Sequence, residues 1–414
     1  MPESSTVRRD VIMRGMMTLP AKRARAVGCA LLIALVAACS EGKRAPAPVA
    51  AKPLSELARL GALAYEERLL SSSGRMSCAT CHDPAFFHGP PNARPVQVGG
   101  TLQTEFGLRA APSLRYLERL PAFDVTSIRG GMMADGRADT LAAQAHLPWF
   151  SALEFGLDGS AELARRLRGT VWGRQFFAHF GESSDSDVVV AQLAEALAAF
   201  MRENPRLHPY DSKFDQVAAG GETFTAAELR GRAVYRDPAR GNCASCHPDT
   251  STDGLPPLFT DFRYVAQGVP RNAEIPANAD PAYFDLGLCG PQRTDLKKRE
   301  LCGMFRTPGL RNAAVRPSYF HNGAFHSLAD VVDFYNTRDT SPARWYPSVN
   351  GTPQSFNDLP PALRENVTRE PPFGPRIANR PPMNTREAAD LVCFLETLTD
   401  GHVAGTRARM ACRD

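Results

Sequence analysis

The 414-residue chain lacks three things that would each have named a class of protein. It has no apolar run near the roughly 20 residues needed to cross a bilayer as a helix. It has no excess of one charge: 48 Lys+Arg face 44 Asp+Glu, a formal net charge of +4, which is no nucleic-acid footprint. Alternating apolar and polar positions are scarce, which argues against a sheet-built fold. Ten cysteines are too few for a disulfide-held mini-protein and many for a reducing compartment. At 43 % hydrophobic and 22 % charged, the chain is globular and long enough for two or three domains.

The N-terminus reads as an address. Lys22, Arg23 and Arg25 precede a thirteen-residue apolar run, 26–38, of signal-peptide length. The run ends Val36-Ala37-Ala38-Cys39, the pattern of a bacterial lipoprotein box with Cys39 as the lipidated residue. Residues 39–53, rich in Ala, Pro and Lys, read as a tether. Residues 1–38 carry six basic and two acidic side chains, so their removal leaves 42 of each sign. The expected product is periplasmic, with a membrane link only through Cys39.

Two motifs carry the chemistry. Cys78-Ala79-Thr80-Cys81-His82 and Cys243-Ala244-Ser245-Cys246-His247 both read CxxCH. In this spacing two thiols take up the vinyl groups of one porphyrin and the next residue sets an imidazole beneath the iron. A zinc site would need a second ligand pair near each CxxC, and a redox CxxC does not call for the trailing His. The cofactors expected are two covalently bound c-type haems.

Helical signals surround both motifs. Leu54, Leu57, Ala58, Leu60, Ala64 and Leu69 form an apolar stripe before the first. Thr225 and Glu228 form a capping box opening a helix over 226–235, just before the second. A further amphipathic helix is expected over 188–202, with 205–213 as linker. Ser327 and Asp330 start another, whose Leu328, Val331, Val332 and Tyr335 share one face. That face must be buried, so Tyr335 should point inward. The reading is a mainly α fold of two cytochrome c-like domains with long Pro/Gly-rich loops: 54–205, 206–402 and a tail over 403–414.

The chain resembles the bacterial di-haem cytochrome c peroxidases and their MauG-like relatives. The resemblance rests on Asp135-Gly136-Arg137-Ala138, on Phe305-Arg306-Thr307-Pro308-Gly309-Leu310-Arg311-Asn312, on Tyr319-Phe320-His321-Asn322-Gly323 and on Val331-Val332-Asp333-Phe334-Tyr335. It implies peroxide chemistry at the His82 haem, with Gln144, Pro148 and Glu154 in the pocket and Glu154 moving the proton. It implies electron transfer through the His247 haem. The far ligand of that haem is Met in the peroxidases and Tyr in MauG; the matching position here is Tyr335, with Met304 as rival. The partners implied are hydrogen peroxide and either a small cytochrome or other periplasmic donor, or a protein substrate.

Several positions depart from the family. The Trp that relays electrons between the haems in many members is Ala134 here, so either electrons tunnel without it or another aromatic substitutes, with Trp149 as a candidate. The resemblance also implies an inter-haem calcium ion. Its Asn ligand is Ala110, and the Thr-Ala-Pro segment is Arg316-Pro317-Ser318, which weakens that expectation. His88 follows His82 too closely to fold over the same haem, so the first haem should be five-coordinate or water-bound. The remaining cysteines pair most locally as Cys289–Cys302 and Cys393–Cys412. The leading function is a di-haem peroxidase. A MauG-like oxidase acting on a partner protein and a non-enzymatic electron carrier are the alternatives, and the carrier has no need of Gln144, Pro148 and Glu154.

Overall fold

The computed structural model describes residues 52–374 and 380–413. The basic segment, the apolar run and Cys39 lie outside the described residues. Among those described are ten α-helices: α1 (Glu56–Glu66), α2 (Cys78–Cys81), α3 (Leu141–Trp149), α4 (Ser160–Arg168), α5 (Gly173–Phe180), α6 (Ser186–Glu203), α7 (Lys213–Ala218), α8 (Ala226–Arg236), α9 (Leu328–Thr337) and α10 (Thr385–Glu396). Sheet is limited to three two-stranded ladders: β1 (Val98–Gly99) with β2 (Glu105–Phe106), β3 (Tyr264–Val265) with β4 (Phe305–Arg306), and β5 (Ser348–Val349) with β6 (Thr352–Pro353). No helix among the described residues is long and apolar enough to cross a membrane.

The helices start where capping residues put them. The Ser55 hydroxyl accepts from Ala58 N at 3.1 Å and opens α1, and Asp185 caps α6. Reciprocal capping boxes open α8 (Thr225 with Glu228) and α10 (Asn384 with Glu387), each satisfying two otherwise orphaned backbone donors. The expected stripe over 54–69 breaks at Glu67, whose backbone is extended and whose carboxylate accepts from Leu69 N. The segment expected as a linker, 205–213, is packed instead. Leu207 is buried, and the Lys213 ammonium meets both Glu228 oxygens at 3.0 and 2.7 Å at the start of α7.

Two helix crossings repeat one device. Gly61 of α1 lies so close to α6 that a Cβ would sit 1.9 Å from the Ala196 carbonyl oxygen, and a Cβ on Gly231 of α8 would sit 1.9 Å from that of Asp390 in α10. Four residues after each glycine comes a tyrosine. Tyr65 packs on Phe200 with ring centroids 5.3 Å apart, and Tyr235 on Phe394 at 5.1 Å. Their hydroxyls donate to the carbonyls of His82 and His247 respectively. The crossings thus set the height of each CxxCH histidine. Gly231→Ala is expected to cost about 1–3 kcal/mol by overpacking, read as a lower unfolding midpoint in denaturant; an unchanged midpoint would show that the close approach is unimportant.

Around these crossings lie a first core of α1 and α3–α6 side chains and a second built on α8 and α10, joined by long loops. Asp400, buried, ties the loops together: it accepts from Tyr116 Oη at 2.6 Å, Arg115 at 2.7 Å and Asn312 Nδ2 at 2.6 Å. Cys289–Cys302 and Cys393–Cys412 are disulfide-bonded as expected, and the four CxxCH thiols are free.

Candidate functional site

The two CxxCH motifs open onto one continuous cavity of about 810 Å³. The first motif is the one-turn helix α2, held by a Ser77–Thr80 capping box. His82 follows it and contacts the Pro112 carbonyl through Nδ1 at 3.0 Å. The second is a 3₁₀ turn, Cys243–Ser245, and His247 Nδ1 lies 2.8 Å from the Phe259 carbonyl. A carbonyl only accepts, so each Nδ1 carries the hydrogen and each Nε2 keeps its lone pair. Burial pushes His82 down to about 4, which keeps its imidazole neutral.

Burial pushes the Cys78 and Cys243 thiols up to about 12. A zinc site would need further ligands beside each pair. Among the described residues no cluster of three or more His, Cys, Asp or Glu could hold an ion. Covalent haem fits every feature: paired thiols, an oriented imidazole and a large enclosed space at both motifs. Arg306 and Arg316 add to the fit. Both line the cavity, and neither guanidinium has a carboxylate partner among the described residues; haem propionates would supply that charge.

At the first motif, α3 carries Gln144 and Pro148 one turn apart, and both line the cavity with Glu154. Pro148 has no N–H, so the Gln144 carbonyl loses its usual helical donor. Glu154 N donates to Ser151 O at 3.0 Å, and the charge of the Glu154 carboxylate is felt at Cys78 and Cys81. Burial raises Glu154 above the ordinary carboxylate range, while Arg137 and Ser151 oppose the rise. Arg137 is held by both oxygens of Asp135 at 2.8 Å, and Arg109 grips Asp135 at 2.7 Å. Gly99 in β1 closes over this segment: a Cβ there would stand 2.3 Å from Leu153 O. The next amide, Gly100 N, donates to Glu154 O at 2.7 Å. The arrangement can pass a proton between two oxygens of a small ligand.

At the second motif, Leu328, Val331, Val332 and Tyr335 all line the cavity, as their spacing requires. Ser327 caps α9 by accepting from Asp330 N at 3.0 Å. The Tyr335 ring lies between Phe373 (5.1 Å, 27°) and Phe320 (6.1 Å, 19°). Burial raises its phenol, and it feels the charges of Cys243 and Cys246. A core tyrosine would have a satisfied hydroxyl, yet no hydrogen bond to this one is found among the described residues. Met304 borders the cavity but packs with the cluster of Tyr264, Leu288 and Leu296.

Other expectations resolve differently. Trp149 is 1 % exposed inside the first core and does not line the cavity. The space beside Ala134 is instead approached by Arg306, whose N–H donates to Ala134 O at 2.9 Å. His88 is buried against Tyr65 (6.2 Å) and off the cavity wall. Sequence reasoning missed the two Gly–Tyr pairs, Gly99 and the cavity-facing arginines; only the repeated spacing Gly61/Tyr65 and Gly231/Tyr235 could have signalled any of them.

A family model described as di-haem cytochrome c peroxidase matches residues 55–223. The methylamine utilization protein MauG of Paracoccus denitrificans is 32 % identical over 84 % of this chain and 90 % of its own. The cytochrome-c peroxidase IdrP2 of Denitromonas iodatirespirans is 24 % identical over 75 % of this chain and 82 % of its own. Among solved structures, the diheme peroxidase BthA from Burkholderia thailandensis superposes with a TM-score of 0.77 at 38 % identity, covering 87 % of this chain and 90 % of that one.

Proposed function

This chain belongs to the di-haem cytochrome c peroxidase family, and from that premise we propose that it reduces hydrogen peroxide at the haem held by Cys78, Cys81 and His82. Cys243, Cys246 and His247 would hold a second haem, which would supply the electrons. The observation that carries this reading is the meeting of both motifs with Gln144, Pro148 and Glu154 on one cavity wall. When bound, the c-type haems supply the redox chemistry of peroxide reduction and the store of electrons. His82 and His247, each with Nε2 left free, would hold the two irons, and Tyr335 would serve the second haem as a further ligand. Glu154 takes the first proton of peroxide and returns it to the departing oxygen. The Gln144 amide orients the peroxide, and the apolar wall around Pro148 limits water.

The reading is tested by following a reduced small c-type cytochrome mixed with the holo-protein and peroxide. Oxidation of two cytochromes per peroxide is expected, since two electrons and two protons convert peroxide to two waters. No oxidation of any added donor would contradict the reading. A second reading, a MauG-like oxidase acting on a partner protein, is favoured by the Tyr335 ring on the cavity wall, the position at which the resemblance implies a tyrosine ligand.

Calcium is not required on this reading. Arg316 donates to Ala111 O at 3.1 Å and to Ser318 O at 3.2 Å, so its guanidinium already joins the two segments expected to carry the ion. EDTA treatment is expected to leave both the haem spectrum and turnover unchanged. A loss that added calcium restores would contradict this.

Two disulfides suit an oxidising compartment, as does haem attachment outside the cytoplasm. The protein is accordingly assigned to the periplasm, anchored through Cys39. The domains are taken as 54–205 and 206–402, with 403–414 pinned through Cys412.

A further inference from the structure

Pro112-Ser113-Leu114-Arg115-Tyr116 and Pro308-Gly309-Leu310-Arg311-Asn312 are one loop used twice. Each ends in a left-handed residue, φ +65 at Tyr116 and +61 at Asn312, and each of these side chains reaches Asp400 at 2.6 Å. Asn adopts this backbone region readily, whereas a ring-bearing side chain there is strained. Asn also suffices to bind Asp400, as position 312 demonstrates. Tyrosine at 116 therefore gives something that Asn cannot: a redox-active phenol on the cavity wall.

Tyr116 is not isolated. Its ring centroid is 4.9 Å from that of Tyr210, also left-handed at φ +50. Tyr210 N donates to the Tyr116 hydroxyl at 3.3 Å. The Tyr210 hydroxyl accepts from Arg119 at 2.9 Å and lies within the field of the Glu118 carboxylate. One Glu118 oxygen and the nearby His208 Nδ1 have no hydrogen-bond partner among the described residues. Arg119 continues to Asp253, which is half exposed. The pair thus runs from the cavity wall toward the surface, with a carboxylate beside each hydroxyl. Arg311 lies over both rings at 5.1 and 4.9 Å. Its charge opposes a ring cation but not a neutral phenoxyl, so oxidation there must release a proton.

We propose that Tyr116 and Tyr210 carry oxidising equivalents from the cavity, past Glu118, to the surface at Asp253, where a one-electron reductant is oxidised. The proposal rests on the peroxide-reducing reading above. Tyr116 gives one electron toward the peroxide-oxidised haem pair and its phenolic proton to Asp400, leaving a neutral phenoxyl. Tyr210 then gives one electron to that phenoxyl while Asp400 returns the proton to Tyr116. The Tyr210 proton passes to Glu118. The external reductant supplies one electron to the Tyr210 phenoxyl, and Glu118 gives the proton back. The net change is one electron moved inward and no proton gained or lost.

The test is freeze-quench EPR of the holo-protein after one equivalent of peroxide, without donor, with and without ring-deuterated tyrosine. A deuterium-sensitive tyrosyl signal is expected. Tyr116→Phe should abolish it, and so should Tyr116→Asn, which keeps an Asp400 partner and guards against misfolding. Tyr210→Phe should leave a signal with a different hyperfine pattern, that of Tyr116. Resting haem spectra identical to wild type certify folding. A peroxide-induced change in haem absorption without any tyrosyl signal, or with the same signal in all three variants, overturns the relay alone. No absorption change with peroxide overturns the peroxide-reducing reading, and the relay with it.

Discussion

Glu154→Gln is expected to slow peroxide turnover by about 10²–10⁴-fold, the range for loss of a positioned acid–base group. The substitution keeps the size and much of the hydrogen-bonding capacity of the side chain, so the fold should be undisturbed. What disappears is the ability to hold a proton between the two oxygens of peroxide. The same residue sets the pH dependence. Burial raises Glu154 above the ordinary carboxylate value, against the pull of Arg137 and Ser151. Below its raised pKa the carboxyl is protonated and cannot take the first proton of peroxide. Turnover in the wild type should therefore fall on the acid side, starting at a higher pH than an exposed glutamate would give. In the Gln variant that acid limb should be absent. Steady-state kcat/KM against pH for both proteins checks the two statements together. A loss smaller than tenfold with the acid limb intact would remove Glu154 from the proton path.

Tyr335→Phe is expected to have the second large effect, on the haem at His247 alone. The ring would stay between Phe373 and Phe320, so packing changes little; only the oxygen is lost. A phenolate ligand favours ferric iron and lowers the potential. Axial ligands move haem potentials over a span of about 0.8 V, so the midpoint of this haem should rise on the order of 0.1 V or more. Its low-spin signature should convert to high-spin, while the first haem is unaffected. Spectroelectrochemical titration of the wild type and the variant separates the two haems. Identical midpoints and spin states would return Tyr335 to the role of a packing residue and leave Met304 as the rival ligand.

Local features were legible in the sequence because their causes are local. The CxxCH spacing, the Thr225–Glu228 box and the shared face of Leu328, Val331, Val332 and Tyr335 each depend on neighbours within two turns. Gln144, Pro148 and Glu154 were legible only through resemblance, since a carboxylate ten residues past a glutamine has no local signature. Long-range contacts were hidden. Gly61 and Gly231 read as weak points in helices until the backbones of α6 and α10 are laid against them. Asp400 reads as a surface acid near the C-terminus until Tyr116, Arg115 and Asn312 converge on it. Arg306, within the Phe305 motif, and Arg316, in the altered calcium segment, carried no sequence sign of their place on the cavity wall without carboxylate partners. Trp149 was misjudged for the same reason: the spacing of α3 does not say which side of the helix the cavity occupies.

The central claim is that one haem is open to peroxide while the other is closed by Tyr335. The magnetic circular dichroism spectrum of the resting ferric holo-protein, before and after one equivalent of peroxide, addresses it most directly. One high-spin and one low-spin haem are expected at rest, with an immediate change on adding peroxide. Two low-spin haems that ignore peroxide would contradict it and make the protein an electron carrier.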